Sequence, residues 1–291
     1  MTNNLYIPLE NRSVIAISGN DATKFLQGLI TNDIHKVSDV RSIYTLMLTP
    51  QGKFLYDFFI AKAGDKFLLD CDKQKLPDII NRFKMYKLRS DVTIENLSES
   101  FVTVAALGTK IFENFGSMEQ GYTKSLACGV IYIDPRSSAL YARAIIAKDN
   151  MFKIFEDNDF KKEKISEYEK VRISNCIPLG HIDLLSEESF PHEYKMDEIG
   201  AIDYNKGCYV GQEVTARVHH RGTGRRSLYV LEKTTNESFP PAGTEIFVDE
   251  KSVGKILAST DSISLSIINI ETVEKQKNIY RVGNIEVGIR S

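Results

Sequence analysis

The first half of the chain alternates β-prone apolar runs with helical patterns. An apolar run at 14–17 predicts a buried strand, and a polar residue at 20 or 21 can cap the helix that follows. That helix would bury one face, formed by Ala22, Phe25, Leu26 and Leu29. Two β-rich runs at 43–48 and 54–60 flank a turn in which Gly52 can adopt a positive φ, so they predict a hairpin. Strands followed by helices indicate an α+β layer.

The remaining pattern separates the chain into two parts. The segment 76–87 predicts a helix that begins near Pro77, and the charged segment 152–170 predicts a solvated helix. Between them lie β-prone runs at 102–107, 129–133 and 139–146. Short strands separated by turns follow residue 226, at 227–231, 245–248, 252–258, 262–270 and 279–290. We therefore expect an α+β fold in which residues 1–225 form the larger part and residues 226–291 a small antiparallel, barrel-like β domain.

Composition excludes several classes of protein. The 291 residues are 42% hydrophobic and 26% charged, as in an ordinary globular protein, and the net charge of −2 provides no global field for nucleic acid. No apolar run is long enough for a membrane span, and the N-terminus lacks signal-peptide and transit-peptide patterns. We therefore expect a soluble, cytoplasmic bacterial protein. The four cysteines show no CxxC spacing, which argues against a disulfide framework or a structural metal site.

The densest candidate for chemistry is the segment DYNKGCYVGQEVTARVHHRGTGRR, residues 203–226. Gly207 and Gly211 allow sharp turns on either side of Cys208. From Gln212 the pattern becomes helical, so Cys208 would lie close to Lys206 and just before a helix N-terminus, a setting that favours a reactive thiolate. The alternative is a buried, inert cysteine, which composition alone favours.

The helix that this segment predicts would have two faces. Val210, Val214 and Val218 form an apolar face, and Glu213 can pair with Arg217 on another. The basic residues of the segment are a local cluster, too short for the broad cationic surface of an RNA-binding protein, and we expect no direct nucleic-acid binding.

The octapeptide KGCYVGQE, residues 206–213, resembles the signature of the YgfZ family of folate-binding proteins, which are relatives of the glycine-cleavage T-protein, an aminomethyltransferase. Four further stretches match in the same order: FLQGLITNDI at 25–34, LTPQGKFLYDFFI at 48–60, YKLRSDVTI at 86–94 and FPHE at 190–193. The resemblance covers most of the chain and weakens between 100 and 165 and beyond 230.

The resemblance implies a ring of two interleaved α+β subdomains and a C-terminal β domain, with tetrahydrofolate or another reduced folate bound centrally. It also implies a role in iron–sulfur cluster assembly or repair, together with iron–sulfur proteins or assembly factors as partners, and an indirect effect on tRNA modification. Cys208 would be the functional thiol.

Folate chemistry suggests roles for individual residues, because a pterin needs a carboxylate or amide and the glutamate tail needs cations. Glu193 and Asp33 are candidate pterin acceptors, and Arg172, Arg217 and Arg226 are candidate partners of the tail. The matched motifs add four further candidate folate contacts: Asn32, Lys206, Gln212 and Glu213.

Two departures from the T-protein pattern bear on the alternative function, a tetrahydrofolate-dependent one-carbon transferase. T-proteins carry adjacent acidic residues where this chain has Tyr56 and Asp57, which leaves Asp57 as a single candidate catalytic acid or base. Ser174 stands where a T-protein segment has glutamate. These residues argue against a simple aminomethyltransferase mechanism.

Overall fold

Two β-sheets and a closed β-barrel organise the chain in the computed structural model. The structure describes residues 4–221, 224–235, 237–275 and 280–290, without the side chains of residues 112, 114, 115, 220 and 221. Eight α-helices lie in the described ranges: α1 Ala22–Leu29, α2 Leu76–Lys87, α3 Lys110–Phe115, α4 Met151–Phe155, α5 Ile165–Ser174, α6 Gly180–Asp183, α7 Gln212–Arg221 and α8 Ile270–Lys275.

The two sheets are interleaved along the sequence. The strands of sheet one are β1 Leu5–Pro8, β7 Phe101–Leu107, β8 Thr123–Leu126, β9 Gly129–Ile133, β10 Ala142–Ala147 and β11 Lys161–Lys162. The strands of sheet two, which lie between β1 and β7 in the sequence, are β2 Arg12–Ser18, β3 Ile43–Leu48, β4 Phe54–Ala63, β5 Lys66–Asp72 and β6 Thr93–Asn96. Sheet one has the strand order β11-β1-β7-β10-β9-β8, and sheet two has the order β3-β4-β5-β2-β6.

The strands after Arg226 close into a barrel, because β12 pairs with both β15 and β17. Its strands are β12 Arg226–Lys233, β13 Glu245–Val248, β14 Lys251–Ser259, β15 Ile263–Asn269, β16 Tyr280–Val282 and β17 Ile285–Ile289. The α+β class and the C-terminal barrel predicted from the sequence are thus confirmed. The division of the chain at residue 226 into two folding units stays a prediction.

Local predictions succeed where the apolar pattern is strong. The face of α1 formed by Ala22, Phe25, Leu26 and Leu29 is buried, and β3 and β4 form the predicted hairpin. The predicted long helix at 152–170 is wrong. Phe155 and Phe160 are both buried in the core of sheet one, so the chain ends α4, returns as the short strand β11 and begins α5 only at Ile165.

The last predicted strand is also divided. Gly283 adopts φ +56° at a turn that separates β16 from β17, and position 279 of the predicted run lies outside the described residues.

The largest apolar cluster joins all three parts of the fold. It contains Tyr44 and Phe59 from sheet two, Tyr132 from sheet one and Leu228 from the barrel, all of them buried. Burial shared in this way means that the sheets and the barrel stabilise one another.

Charged side chains lie inside this core, where sheet one meets sheet two. Asp70 on β5 accepts hydrogen bonds from Arg12 Nε on β2 at 2.6 Å and from Arg143 Nη2 on β10 at 2.5 Å. Arg12 Nη1 also contacts both carboxylate oxygens of Asp57 on β4, at 3.0 and 3.1 Å. All four residues are buried, so Asp70 forms a charged bridge between the two sheets.

A second buried pair completes this cluster. Arg136, in the connection between β9 and β10, pairs with Asp134 at 2.8 Å and donates to the Tyr168 hydroxyl at 2.6 Å. The guanidinium carbons of Arg143, Arg136 and Arg12 lie 3.8, 4.7 and 5.6 Å from the ring centroid of Phe59. Three arginines thus surround one aromatic ring and are neutralised by Asp57, Asp70 and Asp134. We call these residues the central charge cluster.

Replacing Asp70 with asparagine should destabilise the protein severely. The substitution removes the carboxylate shared by Arg12 and Arg143 and leaves buried cations short of a counter-charge, which costs about 3–5 kcal/mol of unfolding free energy. Urea unfolding followed by circular dichroism measures the loss. Glu167→Gln, which removes an exposed ion pair with Lys170, is the control and should change nothing measurable. Similar stabilities for the two variants would contradict the bridging role of Asp70.

Candidate functional site

Cys208 lies on a loop that is attached to α1 on both sides. We call residues 206–211 the Cys208 loop. Before the cysteine, Lys206 Nζ donates to the carbonyl oxygens of Gln27, Ile30 and Asn32 at 2.8, 2.6 and 3.0 Å. After it, the Val210 amide donates to the Gly28 carbonyl at 3.3 Å. The loop therefore rests on the C-terminal end of α1, and the Cys208 side chain is exposed.

Close packing against the β3–β4 hairpin fixes the end of the loop. Gly211 adopts φ +86°, and a Cβ built there would lie 2.5 Å from the Thr49 carbonyl oxygen. Gly52, in the hairpin turn, adopts φ +74° and faces Val214, whose Cβ would lie 3.0 Å from an added methyl group. A Cβ built at Gly207 would have no other group within 4 Å. Of the two glycines that flank Cys208, only Gly211 is therefore required by the local geometry.

The helix predicted to follow the cysteine is confirmed as α7. The Gln212 side-chain oxygen accepts from the Tyr209 amide at 3.1 Å, so Gln212 is a local cap of the turn. Glu213 and Arg217 form the predicted exposed pair at 2.6 Å. Their contacts are with each other, on the surface of the helix.

Lys206 is the one cation of the loop, and its contacts are mainly with backbone oxygens. Burial lowers the pKa of Lys206 to about 8, while the nearby carboxylates of Asp33 and Asp203 oppose that shift. Its ammonium also lies 5.1 Å from the centre of the buried Tyr209 ring. In this structure Lys206 is a contact between the Cys208 loop and α1.

The other three cysteines differ from Cys208 in exposure. Cys71 is fully buried on β5, and Cys128 and Cys176 are half-buried. Burial raises the pKa values of the Cys71 and Cys176 thiols, which disfavours their thiolates. Of the four thiols, Cys208 is the one whose residue is exposed.

The predicted folate contacts Asn32 and Asp33, just after α1, are hydrogen-bonded within the chain. The Asn32 side-chain amide donates to the carbonyls of Tyr44 and Gly200, at 3.0 and 2.8 Å. Asp33 accepts from the amide and the ring of His35; burial would raise the Asp33 pKa, but these contacts outweigh burial and lower it. Both residues stabilise the chain segment that follows α1.

Two predicted folate contacts are paired with each other. Arg226, the first residue of β12, binds Glu193 through Nη2 at 2.7 Å and Nε at 3.2 Å. Sequence analysis assigns Glu193 to the pterin and Arg226 to the glutamate tail. The geometry instead joins them as a bidentate ion pair between the barrel and the segment after α6.

Arg172 is completely buried on α5. It binds Asp183 at 2.8 Å and also pairs with Glu169. The resemblance makes it a partner of the folate tail, but its guanidinium faces these two carboxylates in the interior. Exposure of Arg172 to a ligand would require both ion pairs to open.

Asp57 is a buried member of the central charge cluster. Burial alone would raise its pKa, but the charge and hydrogen bonds of Arg12 outweigh burial and hold the pKa below the ordinary value of 3.8. Gly180 covers the carboxylate so closely that an added Cβ would lie 2.2 Å from Oδ1. Asp57 is therefore an ionised, enclosed counter-ion of Arg12, unable to supply a proton near neutral pH.

A folate bound at the centre does not fit these residues as they are arranged. A pterin and a glutamate tail require unpaired acceptors and cations. In the described part of the chain, the buried candidates Asn32, Arg172 and Glu193 are engaged with protein groups, and Gly180 closes the space above Asp57.

The central charge cluster was missed by sequence reasoning, although a signal was present. Asp70 and Arg143 interrupt otherwise apolar strands, and charged residues in such positions are usually buried only as pairs. Their partners could not be identified, because Asp70 and Arg143 come from different sheets and are 73 residues apart.

Alanine substitutions at the two glycines of the Cys208 loop provide a matched test. Gly211→Ala should cost about 1–3 kcal/mol of unfolding free energy, because the added Cβ meets the Thr49 carbonyl and the backbone has a positive φ. Gly207→Ala, in open space, should leave stability nearly unchanged. Urea unfolding measures both, and hydrogen exchange of the Tyr209 and Val210 amides should accelerate in the Gly211 variant alone. Equal behaviour of the two variants would argue against the packing described for Gly211.

Residues 9–117 match the family described as the GCVT N-terminal domain. Over longer alignments the chain is similar to proteins named mitochondrial iron–sulfur cluster assembly factor IBA57 homologues. It is 28% identical to that of Coccidioides immitis over 92% of this chain and 72% of the relative. It is 30% identical to that of Mycosarcoma maydis over 80% of this chain and 58% of the relative. The chain thus spans little more than half of the second relative.

A solved structure shows the same fold. The glycine cleavage system aminomethyltransferase T of Bartonella henselae aligns with a TM-score of 0.76 and 13% identity, over 99% of this chain and 85% of the other. At this identity the similarity establishes the T-protein fold alone.

The comparisons overturn the expected location. The expectation of a bacterial cytoplasmic protein is wrong, since the similar proteins carry mitochondrial names and come from eukaryotes that include Dictyostelium discoideum and Mus musculus. None of the described helices combines the length and apolar character needed to cross a membrane.

The chain therefore combines a GCVT-like N-terminal region with the T-protein fold, and its relatives are iron–sulfur cluster assembly factors.

Proposed function

We propose that this protein is an accessory factor in iron–sulfur cluster assembly and that it acts through the exposed thiol of Cys208. The observation that carries the proposal is the position of Cys208, which is exposed on a loop whose neighbours on both sides are hydrogen-bonded to α1. The names of the relatives support the assembly role.

The coordination chemistry suggests how one thiol would act. Iron in these clusters is held mainly by cysteine thiolates, four ligands to a cluster in common types. Among the described residues, no group of three or more His, Cys, Asp or Glu side chains is placed to hold a metal. Cys208 would therefore supply one transient ligand to a cluster whose other ligands belong to an iron–sulfur protein or assembly factor. An effect on tRNA modification would follow indirectly, through loss of iron–sulfur enzymes.

The geometry favours this role over one-carbon transfer. A transferase would need an acid or base that reaches the substrate, and Asp57 is enclosed, ionised and bound to Arg12. Its neighbour Tyr56 is also largely buried, and the Arg82 guanidinium carbon lies 5.8 Å from the centre of its ring. Both positions that correspond to the acidic pair of T-proteins are thus buried in this chain, whereas Cys208 is exposed.

Replacing Cys208 with alanine should abolish the function while leaving the fold intact, because the side chain is exposed. The variant is expressed in cells that lack their own assembly factor, and the activity of radical-type iron–sulfur enzymes is measured. We expect the activity to fall to the level of cells without the protein. Cys128→Ala, at a half-buried thiol on the β8–β9 turn, should retain wild-type activity. Full activity of the Cys208 variant would exclude the thiol from the mechanism.

A calorimetric titration with tetrahydrofolate tests separately whether the protein binds a reduced folate. We expect no saturable binding at micromolar concentrations, because the candidate contacts Arg172, Glu193 and Arg226 are paired within the chain. A glycine-cleavage T-protein measured in the same way is the positive control. Saturable binding that weakens in a Glu193→Gln variant would show instead that the Glu193–Arg226 pair opens for the ligand.

A further inference from the structure

The C-terminal end of α1 is completed by the Cys208 loop. The last carbonyl groups of a helix lack partners within the helix and carry partial negative charge. At the end of α1 the Ile30 amide donates a hydrogen bond to the Leu26 carbonyl, and the Gly28 carbonyl accepts one from the Val210 amide. The carbonyls of Gln27 and Ile30 accept hydrogen bonds from Lys206 Nζ. The cation from the loop thus lies where the helix dipole favours positive charge.

Backbone oxygens are the direct partners of Lys206. The nearest carboxylates have other ion-pair partners, since Asp203 pairs with Lys36 at 2.7 Å and Asp33 pairs with His35 at 2.8 Å. Three carbonyl oxygens surround the ammonium within 3.0 Å, and each comes from a different residue at the end of α1. Removal of the ammonium would leave these oxygens without that donor.

Cys208 lies midway between the two attachment points. Lys206 is two residues before it and Val210 two residues after it, and the amide of Tyr209 is held by Gln212. The exposed part of the loop consists of Gly207 and Cys208 alone. Movement of the loop backbone relative to α1 must therefore stretch the contacts of Lys206 or of Val210.

We propose that Lys206 is the positioning residue of Cys208. It holds the Cys208 loop against the end of α1, and its ammonium places a positive charge two residues from the thiol. This inference rests on the proposed function of Cys208, and it assigns no direct contact with the cluster to Lys206.

Three variants separate the positioning role from a general effect on stability. Lys206→Met removes the ammonium but keeps a chain of similar length. Lys206→Arg keeps the charge, and Lys84→Met, at an exposed lysine on α2, is the control. The rate of alkylation of Cys208 by iodoacetamide is measured at neutral pH by peptide mass spectrometry, with Cys128 in the same sample as the internal reference. Hydrogen exchange reports on the Tyr209 and Val210 amides.

We expect alkylation of Cys208 to slow about fivefold in Lys206→Met, in line with the effect of one charge at a helix end. The amides of the loop should exchange faster in the same variant. Lys206→Arg should restore most of the alkylation rate, and Lys84→Met should match the wild type. An unchanged rate and unchanged exchange in Lys206→Met would overturn the proposal, as would a slowing that Lys206→Arg fails to relieve.

These measurements are independent of the assembly assay. If Lys206 controls the reactivity of Cys208 and yet Cys208→Ala supports full iron–sulfur enzyme activity, the positioning role stands and the proposed function fails. If Lys206→Met does not fold, Lys206→Gln takes its place in both measurements, because it also removes the charge and keeps a polar side chain. The same slowing of alkylation and the same faster exchange are expected, and their absence would overturn the proposal.

Discussion

The buried carboxylate of Asp70 is the interaction on which the arrangement of the two sheets depends. It receives one arginine from its own sheet and one from the other, so the guanidinium of Arg143 is neutralised only when both sheets are in place. An apolar interface tolerates sliding more readily than a set of short, directional ion pairs does. The relative position of the sheets is therefore determined by charge as well as by hydrophobic burial.

This arrangement has a direct consequence for chemistry. In the central charge cluster, Asp57 is needed to neutralise Arg12, and a group committed to a buried ion pair is poorly suited to exchange protons. The exposed thiol, by contrast, is outside the core and can change its bonding without disturbing the sheets. The T-protein fold thus has buried ion pairs in its core here and an exposed thiol on its surface.

Much of this fold follows from patterns in the sequence. Two β-rich runs around a turn with Gly52 predicted the β3–β4 hairpin, and the spacing of Ala22, Phe25, Leu26 and Leu29 predicted the buried face of α1. Both signals are local. The same logic failed at 152–170, where charged residues surround Phe155 and Phe160 and conceal the two buried positions that interrupt the helix. Local composition does not report which apolar side chains a distant sheet will cover.

The candidate site was less predictable for the same reason. The density of the KGCYVGQE segment made Cys208 a candidate, which stays a prediction, and the valine spacing predicted α7, which is confirmed. The partners of Lys206 are backbone carbonyls of α1, which carry no residue-specific signal, and the pairing of Glu193 with Arg226 joins positions 33 residues apart. Residue types alone predicted ligand contacts for Glu193 and Arg226, which form an ion pair with each other in the fold.

The attachment of the Cys208 loop to α1 also constrains when the thiol becomes positioned during folding. The hydrogen bonds of Lys206 connect residues separated by 174 to 179 positions in sequence, so they close one of the longest loops in the chain. Such contacts carry a large closure entropy and form after local structure is in place. The loop further requires the turn at Gly52 to be folded, because Gly211 and Val214 pack against it. A chain still emerging from synthesis would therefore carry an unpositioned thiol, and the final geometry of Cys208 would arise only when the first and last thirds of the molecule have met.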